Sequence, residues 1–424
     1  MDKLAVRGGE KIRQKPWNFN AVIGDKEEQS VREVLESGIL SGFIAKAGDN
    51  FLGGKFLKKF ESQVRDYFKI ENVVAVNSAT AGLHMALGAC GIGPGDEVIV
   101  TPYTMSATAT AIIMQNAIPV FADIEDNFFC LDPKSIEEKI TARTKAIMVV
   151  HLFGHPARMN EIMAIAKKNN LFVIEDCAQA PGALYNGSYA GTIGDIGIFS
   201  LNQHKTITCG EGGFAITRKG DLAKRMQLIR NHGEVVAKDL GLDDFTNIIG
   251  YNYRMTELEA AVSLVQFQQL ERLNQYRIEL ADYLSEKLSR FDELMVPRQA
   301  SDSKHVYFVY TLRVKGDAGI KRDPLVKALQ AEGIPFGAGY VKPIYLEPMY
   351  QKKTAYGNKG CPFTCSFYQG APSYDKGICP VAERMHEKEL MLSGVCRYPH
   401  SREDMDDVVR AFKKILTSND DLIF

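Results

Sequence analysis

Lys205 stands in "FSLNQHKTITCGEGGFAIT", residues 199–217, between a polar run and a glycine-rich turn. A lysine that enters a cleft beside an apolar wall loses hydration of its charge, so its pKa falls and its amine becomes nucleophilic toward carbonyls. Left in water, the same side chain is an ordinary loop lysine. Glu175 and Asp176 end the apolar run in "VIEDCAQ", 173–179. A carboxylate there is costly unless it meets a cation, a metal or a positively charged ring nitrogen, and the simpler reading is an Asp capping the next turn. In "NSAT", 77–80, a Ser/Thr pair opens a helix. Its unpaired amides and the helix dipole favour an anion such as phosphate, with a bare N-cap as the alternative. Ser200 precedes Lys205 by five residues, and glycines at 210, 212 and 213 let the backbone turn closely around a bound group. Together, an anion cradle, an orphan carboxylate and an aldehyde-reactive lysine are the attachments that pyridoxal 5'-phosphate requires.

Those residues meet only if the elements carrying them share one edge. Short β-branched runs recur at 73–77, 97–101, 118–124, 146–153, 171–176, 196–201 and 213–217, with helical patterns at 79–91, 106–116 and 159–170 between them. Apolar runs of this length separated by helices predict an α/β domain with a mostly parallel sheet of seven strands, covered on both faces. Ligands of such sheets gather beyond the carboxyl ends of the strands, where Asp176 and Lys205 fall. From 255 to 291 the pattern becomes long helix, broken once, leading to strand-like "HVYFVYTLRV" and a final helix in "SREDMDDVVRAFKKIL". We therefore read 1–280 as an N-terminal segment with the large α/β domain and 281–424 as a smaller α+β domain. The Gly/Pro/Tyr-rich stretch 351–377 reads as a long surface loop or lid.

Composition narrows the partners. In 424 residues, 51 Lys and Arg face 52 Asp and Glu, so no global field recruits nucleic acid or an anionic membrane. No window is apolar for the length of a membrane helix, and the first residues lack a signal-peptide core, so a soluble cytoplasmic enzyme is expected. Eight dispersed cysteines predict reduced thiols. Cys361, Cys365 and Cys379 lack the spacing of paired zinc knuckles, and no metal is expected. A plain nucleotide-binding protein is disfavoured because no G-x-x-x-x-G-K-[ST] occurs.

The succession "NSATAGLH", "GDEVIVTPYT", "HLFGHPARMNEI", "VIEDCAQAPGALYNG", "GTIGDIGIFS", "HKTITCGEGG" and "GYNYRMTELEAA" resembles the DegT/StrS-type aminotransferases. These pyridoxal-phosphate enzymes aminate nucleotide-linked keto-sugars and keto-cyclitols. The resemblance runs from near residue 53 to the final helix and implies fold type I, the aspartate-aminotransferase fold, and a homodimer with shared active sites. It makes Lys205 the Schiff-base lysine and Asp176 the partner of the protonated pyridine nitrogen. It gives Gln179 the phenolic oxygen, Ala79, Thr80 and Ser200 the phosphate, and Asn252 the phosphate of the opposite subunit. Met105 stands where relatives usually place an aromatic ring over the cofactor, and a thioether also packs on aromatic faces. Tyr340 is retained, but Gly339 replaces a histidine that many relatives hold near the substrate.

The implied activity is amino transfer from L-glutamate or L-glutamine to a nucleotide-linked keto-sugar. Gln203 matches the keto-inositol enzymes, so a keto-cyclitol is the runner-up, with a small ketone phosphate behind it. His204, His232, Tyr340, Lys342 and Tyr345 are further candidates for touching substrate. Dehydratases of the family hold histidine at the lysine position, whereas here His204 precedes an intact Lys205. A non-catalytic regulator on the same scaffold is the reading from another class, and intact Lys205, Asp176 and Gln179 oppose it.

Overall fold

The computed structural model describes residues 3–239, 241–316 and 319–418. Seven strands build the large sheet: β1 (Asn72–Val76), β2 (Glu97–Val100), β3 (Ile118–Phe121), β4 (Thr144–Val150), β5 (Phe172–Asp176), β6 (Ile196–Ser200) and β7 (Gly213–Thr217). Their order is β1-β7-β6-β5-β4-β2-β3, parallel from β6 to β3, with β7 antiparallel to both of its neighbours. Alternation along each strand feeds two cores, as a period of two requires. Val74, Val76 and Ile198 pack under the helices Ala79–Ala89 and Gly220–Arg230. Val73, Ala75, Phe199 and Phe214 pack instead against the helices Lys55–Phe68 and Glu257–Phe267. The direction of β7 matters for function: its first residues, not its last, lie at the edge where β5 and β6 end. Gly213 permits this approach, because a Cβ there would stand 2.8 Å from the Ala79 amide nitrogen and 2.6 Å from the Phe199 oxygen.

The long helical pattern is broken once, as expected, into Glu257–Phe267 and Leu270–Leu288. The second of these runs through residue 280 without interruption. Leu270 and Leu273 join the core beside the large sheet, while Leu284 and Leu288 enter a second core with Tyr310, Leu312 and Phe412. That core lies against an antiparallel sheet of β8 (Leu294–Met295), β9 (Tyr310–Val314), β10 (Gly337–Ala338) and β11 (Leu390–Ser393), in the order β8-β9-β11-β10. Two packing facts differ from a simple split of the chain at 280. Leu4 belongs to the second core, Arg13 pairs with Asp404 and Asp407 at 2.8 and 2.7 Å, and Trp17 donates to the Gly333 carbonyl at 2.8 Å. The first residues thus pack on the small unit.

Conversely, much of the stretch after residue 343 packs back on the large one. Tyr345, Tyr350, Phe363, Tyr368 and Tyr374 are buried in the core of the large sheet. Tyr368 donates to Glu97 at 2.8 Å and Tyr374 to the Pro119 carbonyl at 2.9 Å. The expected surface loop 351–377 is therefore anchored by its aromatic residues, although Phe367 is 75% exposed. Cys361 and Cys365 form a disulfide with Cα atoms 5.4 Å apart, contrary to the expectation of reduced thiols throughout. A tight turn brings the two Cα atoms within bonding range, which sparse overall spacing does not reveal. Cys379 is buried as a free thiol.

His84, His155 and His305 are buried, and burial pushes their pKa values down from 6.5 to about 4, about 4 and about 3. The unfolded chain takes up protons near 6.5 while the folded chain does so only near 3 to 4. Stability is accordingly complete above the unfolded value and is lost as pH falls through this window. The expected result is a fall in the urea midpoint between about pH 7 and about pH 5, worth on the order of a few kcal/mol in total. An unchanged midpoint would show that these imidazoles are solvated in the folded state.

Candidate active site

At the carboxyl edge of β5 and β6 lies a cavity of about 440 Å³. The helix Ala79–Ala89 opens into it, with Ser78 as N-cap accepting from the Ala81 amide at 3.1 Å. Ala79 and Thr80, in the first turn, line the cavity, and their position leaves amides without intrahelical acceptors. Asp176, the last residue of β5, is 5% exposed. Its carboxylate accepts from the Thr108 hydroxyl at 2.9 Å and from the Ala178 amide at 3.1 Å. Burial raises its pKa, opposed by these bonds and by the charge of Lys205.

Lys205 follows β6 in a turn whose amide donates to the Asn202 carbonyl at 2.9 Å. Its Nζ lies 4.9 Å from the centre of the Phe308 ring. Part of the side chain remains open to the cavity, yet the protein encloses the amine closely enough that desolvation lowers its pKa, against the opposing pull of Asp176. The two groups are therefore in electrostatic reach across one cavity. Gln179 accepts from the Phe153 amide at 2.7 Å and donates to the Tyr340 hydroxyl at 2.9 Å. The Phe153 amide is presented by an unusual backbone, φ 58°, which a non-glycine residue adopts only where surrounding contacts hold it. The Tyr340 amide in turn donates to the Tyr103 hydroxyl at 3.0 Å. Ser200 and His204 line the cavity, and Met105, 59% exposed, lies on its wall.

Beside Asp176, Glu175 is a carboxylate with a different task. It accepts from His151 Nε2 at 2.8 Å and from the amides of Gly191, Ile193 and Gly194 at 2.8, 2.8 and 2.6 Å. His151 Nδ1 accepts from the Ala157 amide, so Nε2 carries the proton. His151, Glu175 and Cys177 offer ligand atoms within 4.8 Å of one another, but the carboxylate is already consumed by four donors. Hydrogen bonding accounts for this cluster.

Several sequence candidates lie away from the cavity in this chain. Gln203 and Asn252 are exposed and do not line it; the Gln203 amide donates to the Gly210 carbonyl, and the Asn252 carbonyl accepts from Asn77 at 3.3 Å. His232 sits in a left-handed turn at φ 53°, and Lys342 pairs with Glu347 at 3.1 Å, both outside the lining. Tyr345 is fully buried with its hydroxyl on Glu383, which removes it as a substrate contact. Conversely, Thr108 and Phe308 were missed. Thr108 is one of two threonines in the otherwise apolar helix Ala107–Met114 and the buried one, which the sequence does not distinguish; nothing local marks Phe308.

Gly339 adopts φ +65°, and a Cβ there would meet the His386 carbonyl oxygen at 2.7 Å and its Nδ1 at 3.1 Å. His386 Nδ1 is buried without a partner among the described residues. Gly339→Ala should cost about 1–2 kcal/mol in stability through backbone strain. It should also raise KM for the ketone severalfold by displacing Tyr340, with cofactor absorbance unchanged. A silent substitution in thermal melts and kinetics would disprove the clash.

A larger cleft, about 560 Å³, lies at the opposite edge of the sheet beside Asp96 and Lys145. Size alone therefore does not choose the site; the paired buried amine and carboxylate do. The donor set of the 440 Å³ cavity suits pyridoxal phosphate: a helix start for the phosphate, an enclosed acid for a ring nitrogen and an amine for the aldehyde.

Fold and cavity define a fold-type I pyridoxal-phosphate-dependent aminotransferase. The chain belongs to the DegT/DnrJ/EryC1/StrS aminotransferase family, whose model matches residues 23–375. It is 39% identical over 298 residues to a GDP-perosamine synthase of Caulobacter vibrioides, covering 70% of this chain and 79% of that one. It is 32% identical to the L-glutamine:2-deoxy-scyllo-inosose aminotransferase of Streptomyces kanamyceticus, over 98% of this chain and 97% of that one. Among solved structures, an aminotransferase from Psychrobacter cryohalolentis superposes with a TM-score of 0.82 at 29% identity, covering 95% of this chain and 99% of that one. The protein is thus an aminotransferase of the sugar and cyclitol type.

Proposed function

We propose that the enzyme transfers an amino group from L-glutamate or L-glutamine to the ketone of a nucleotide-linked keto-sugar, with Lys205 and Asp176 as its catalytic residues. The observation that carries this reading is the enclosure of one amine and one carboxylate by a single cavity, each with its pKa displaced by burial. Pyridoxal phosphate, when bound, supplies the aldehyde that takes up the donor's nitrogen and a ring that accepts the electrons of a breaking Cα–H bond. Ala79 and Thr80 hold phosphate through amide and hydroxyl, aided by Ser200. Asp176, held by Thr108 and Ala178, keeps a proton on the ring nitrogen. Gln179 orients the phenolic oxygen and Met105 covers one ring face. The Lys205 amine, relieved of part of its proton affinity by burial, moves the proton between carbon centres.

Asn252, exposed in the single chain, completes the phosphate grip of a second copy in a homodimer. Gln203, His204, His232 and Lys342 face the substrate in that assembly. A cytoplasmic setting is part of this reading; no helix among the described residues is long and apolar enough to cross a membrane. Residues 1–280 and 281–424 are proposed as the two units, with the first residues packed on the small unit and Tyr345 to Tyr374 packed back on the large one.

A keto-cyclitol is the second reading. It is favoured by near-complete alignment with the scyllo-inosose enzyme, 98% of this chain, against 70% for the perosamine synthase. The deciding experiment loads the enzyme with the aminated cofactor and follows its absorbance against keto-sugar nucleotides, keto-inositols and small ketone phosphates. Discharge by a keto-sugar nucleotide supports the first reading; discharge by keto-inositols alone replaces it with the second. Ammonia release without an aminated product would instead mark a dehydratase.

A further inference from the structure

A second cavity touches Lys205 from the side of the helix Leu270–Leu288. It is lined by Thr206, Gln266, Arg277 and Arg397, among others, and it measures about 10 Å³, room for one small occupant. Its chemistry is one-sided. Among the described residues, Lys205, Arg277 and Arg397 border it and no carboxylate does. Arg277 is 4% exposed, and its only hydrogen bonds among the described residues run from Nη1 to the carbonyls of Tyr307 and Phe308, at 3.4 and 3.0 Å. The Arg397 guanidinium makes no ion pair or hydrogen bond among the described residues, and burial lowers its pKa with no acid to oppose the shift. The two guanidinium groups repel: burial first, then Arg397, pushes the pKa of Arg277 down to about 9.

Thr206 is 7% exposed, and its hydroxyl has no partner among the described residues. Gln266, on the cavity wall, spends its Nε2 on Glu27 at 2.7 Å, and that carboxylate also accepts from the Gly24 amide at 3.0 Å. Arg277 is buried and Arg397 half-buried, and holding two like charges together out of water without a counter-charge among the described residues is costly, so the protein has reason to gather one from solution.

We propose that this cavity binds a small inorganic anion, a halide of the size of chloride, between Arg277, Arg397 and the Thr206 hydroxyl. A space this small suits a monatomic anion better than a phosphate or an amino acid. The consequence reaches the active site, because Arg277 holds the carbonyl of Phe308, whose ring lies 4.9 Å from Lys205 Nζ. By neutralising the paired guanidinium groups, the anion keeps Arg277 charged and seated on that carbonyl. None of this depends on which ketone is aminated, and it survives failure of the substrate assignment.

Crystals of the cofactor-loaded enzyme soaked in sodium bromide should show an anomalous peak in this cavity, within hydrogen-bonding distance of both arginines. In solution, sodium chloride should raise the unfolding midpoint by about 2 °C over sodium gluconate at equal ionic strength, through mass action on the folded state. Arg397→Gln should abolish that difference while retaining cofactor absorbance; should it misfold, Arg397→Lys should weaken the difference instead. A bromide-free cavity, a carboxylate of a second copy or of the amino donor in its place, or a chloride effect equal in variant and parent, as general salting would give, each overturns the proposal.

Discussion

Lys205→Ala should abolish the visible absorbance of the cofactor-loaded enzyme and lower turnover by at least about 1,000-fold, since one side chain supplies both the covalent anchor and the proton carrier. Lys205→Arg should fare no better: a guanidinium stays protonated and cannot attack a carbonyl. The fold should tolerate the loss. The amine sits where burial disfavours its charge, so removing it relieves a desolvation cost, and thermal melts of the cofactor-free variant should match or exceed the parent. Both arms matter. Retained transamination would refute the assignment of Lys205, whereas lost activity with a collapsed melting transition would show only that the variant had unfolded.

Asp176→Asn is the second large effect, an expected fall in kcat of about 100- to 1,000-fold, the range seen when one preorganised electrostatic contact is removed. The amide matches the acid in shape and can still meet the Thr108 hydroxyl and Ala178 amide, but it cannot stabilise a protonated ring nitrogen. Stability supplies an independent readout. In the cofactor-free protein burial raises the Asp176 pKa above 3.8. A carboxyl raised in the folded state contributes stability below its unfolded pKa, and that contribution is lost as pH rises through the folded value. At neutral pH the buried charge is therefore a burden, and the Asn variant should be the more stable protein without cofactor and the less active one with it. An Asn variant with parental kcat would place the ring-nitrogen partner elsewhere.

What could be read without coordinates was whatever depends on near neighbours in the chain. The seven strands, the helix that starts at Ala79, and the placement of Asp176 and Lys205 just beyond strand ends follow from alternation, helix-start chemistry and the burial that a parallel sheet imposes. The family order of motifs added the cofactor and the reaction class, again from local strings. Contacts between residues far apart in sequence follow from side-chain packing, and no periodicity encodes them. Phe308 reaches Lys205 from beyond the long helix, Tyr340 closes on Gln179 from the second unit, and Trp17 straps the N-terminus to Gly333. The same holds for Tyr345, polar and plausible as a substrate contact on paper, which tertiary burial commits to Glu383. Arg277 and Arg397, separated by more than a hundred residues, gain a shared cavity only when the chain folds. The sequence by itself thus determined the chemistry available and the edge where it collects. The tertiary structure alone decided which charges face each other and which are left without a counter-charge, because desolvation and electrostatic reach depend on distances set by packing, not by order along the chain.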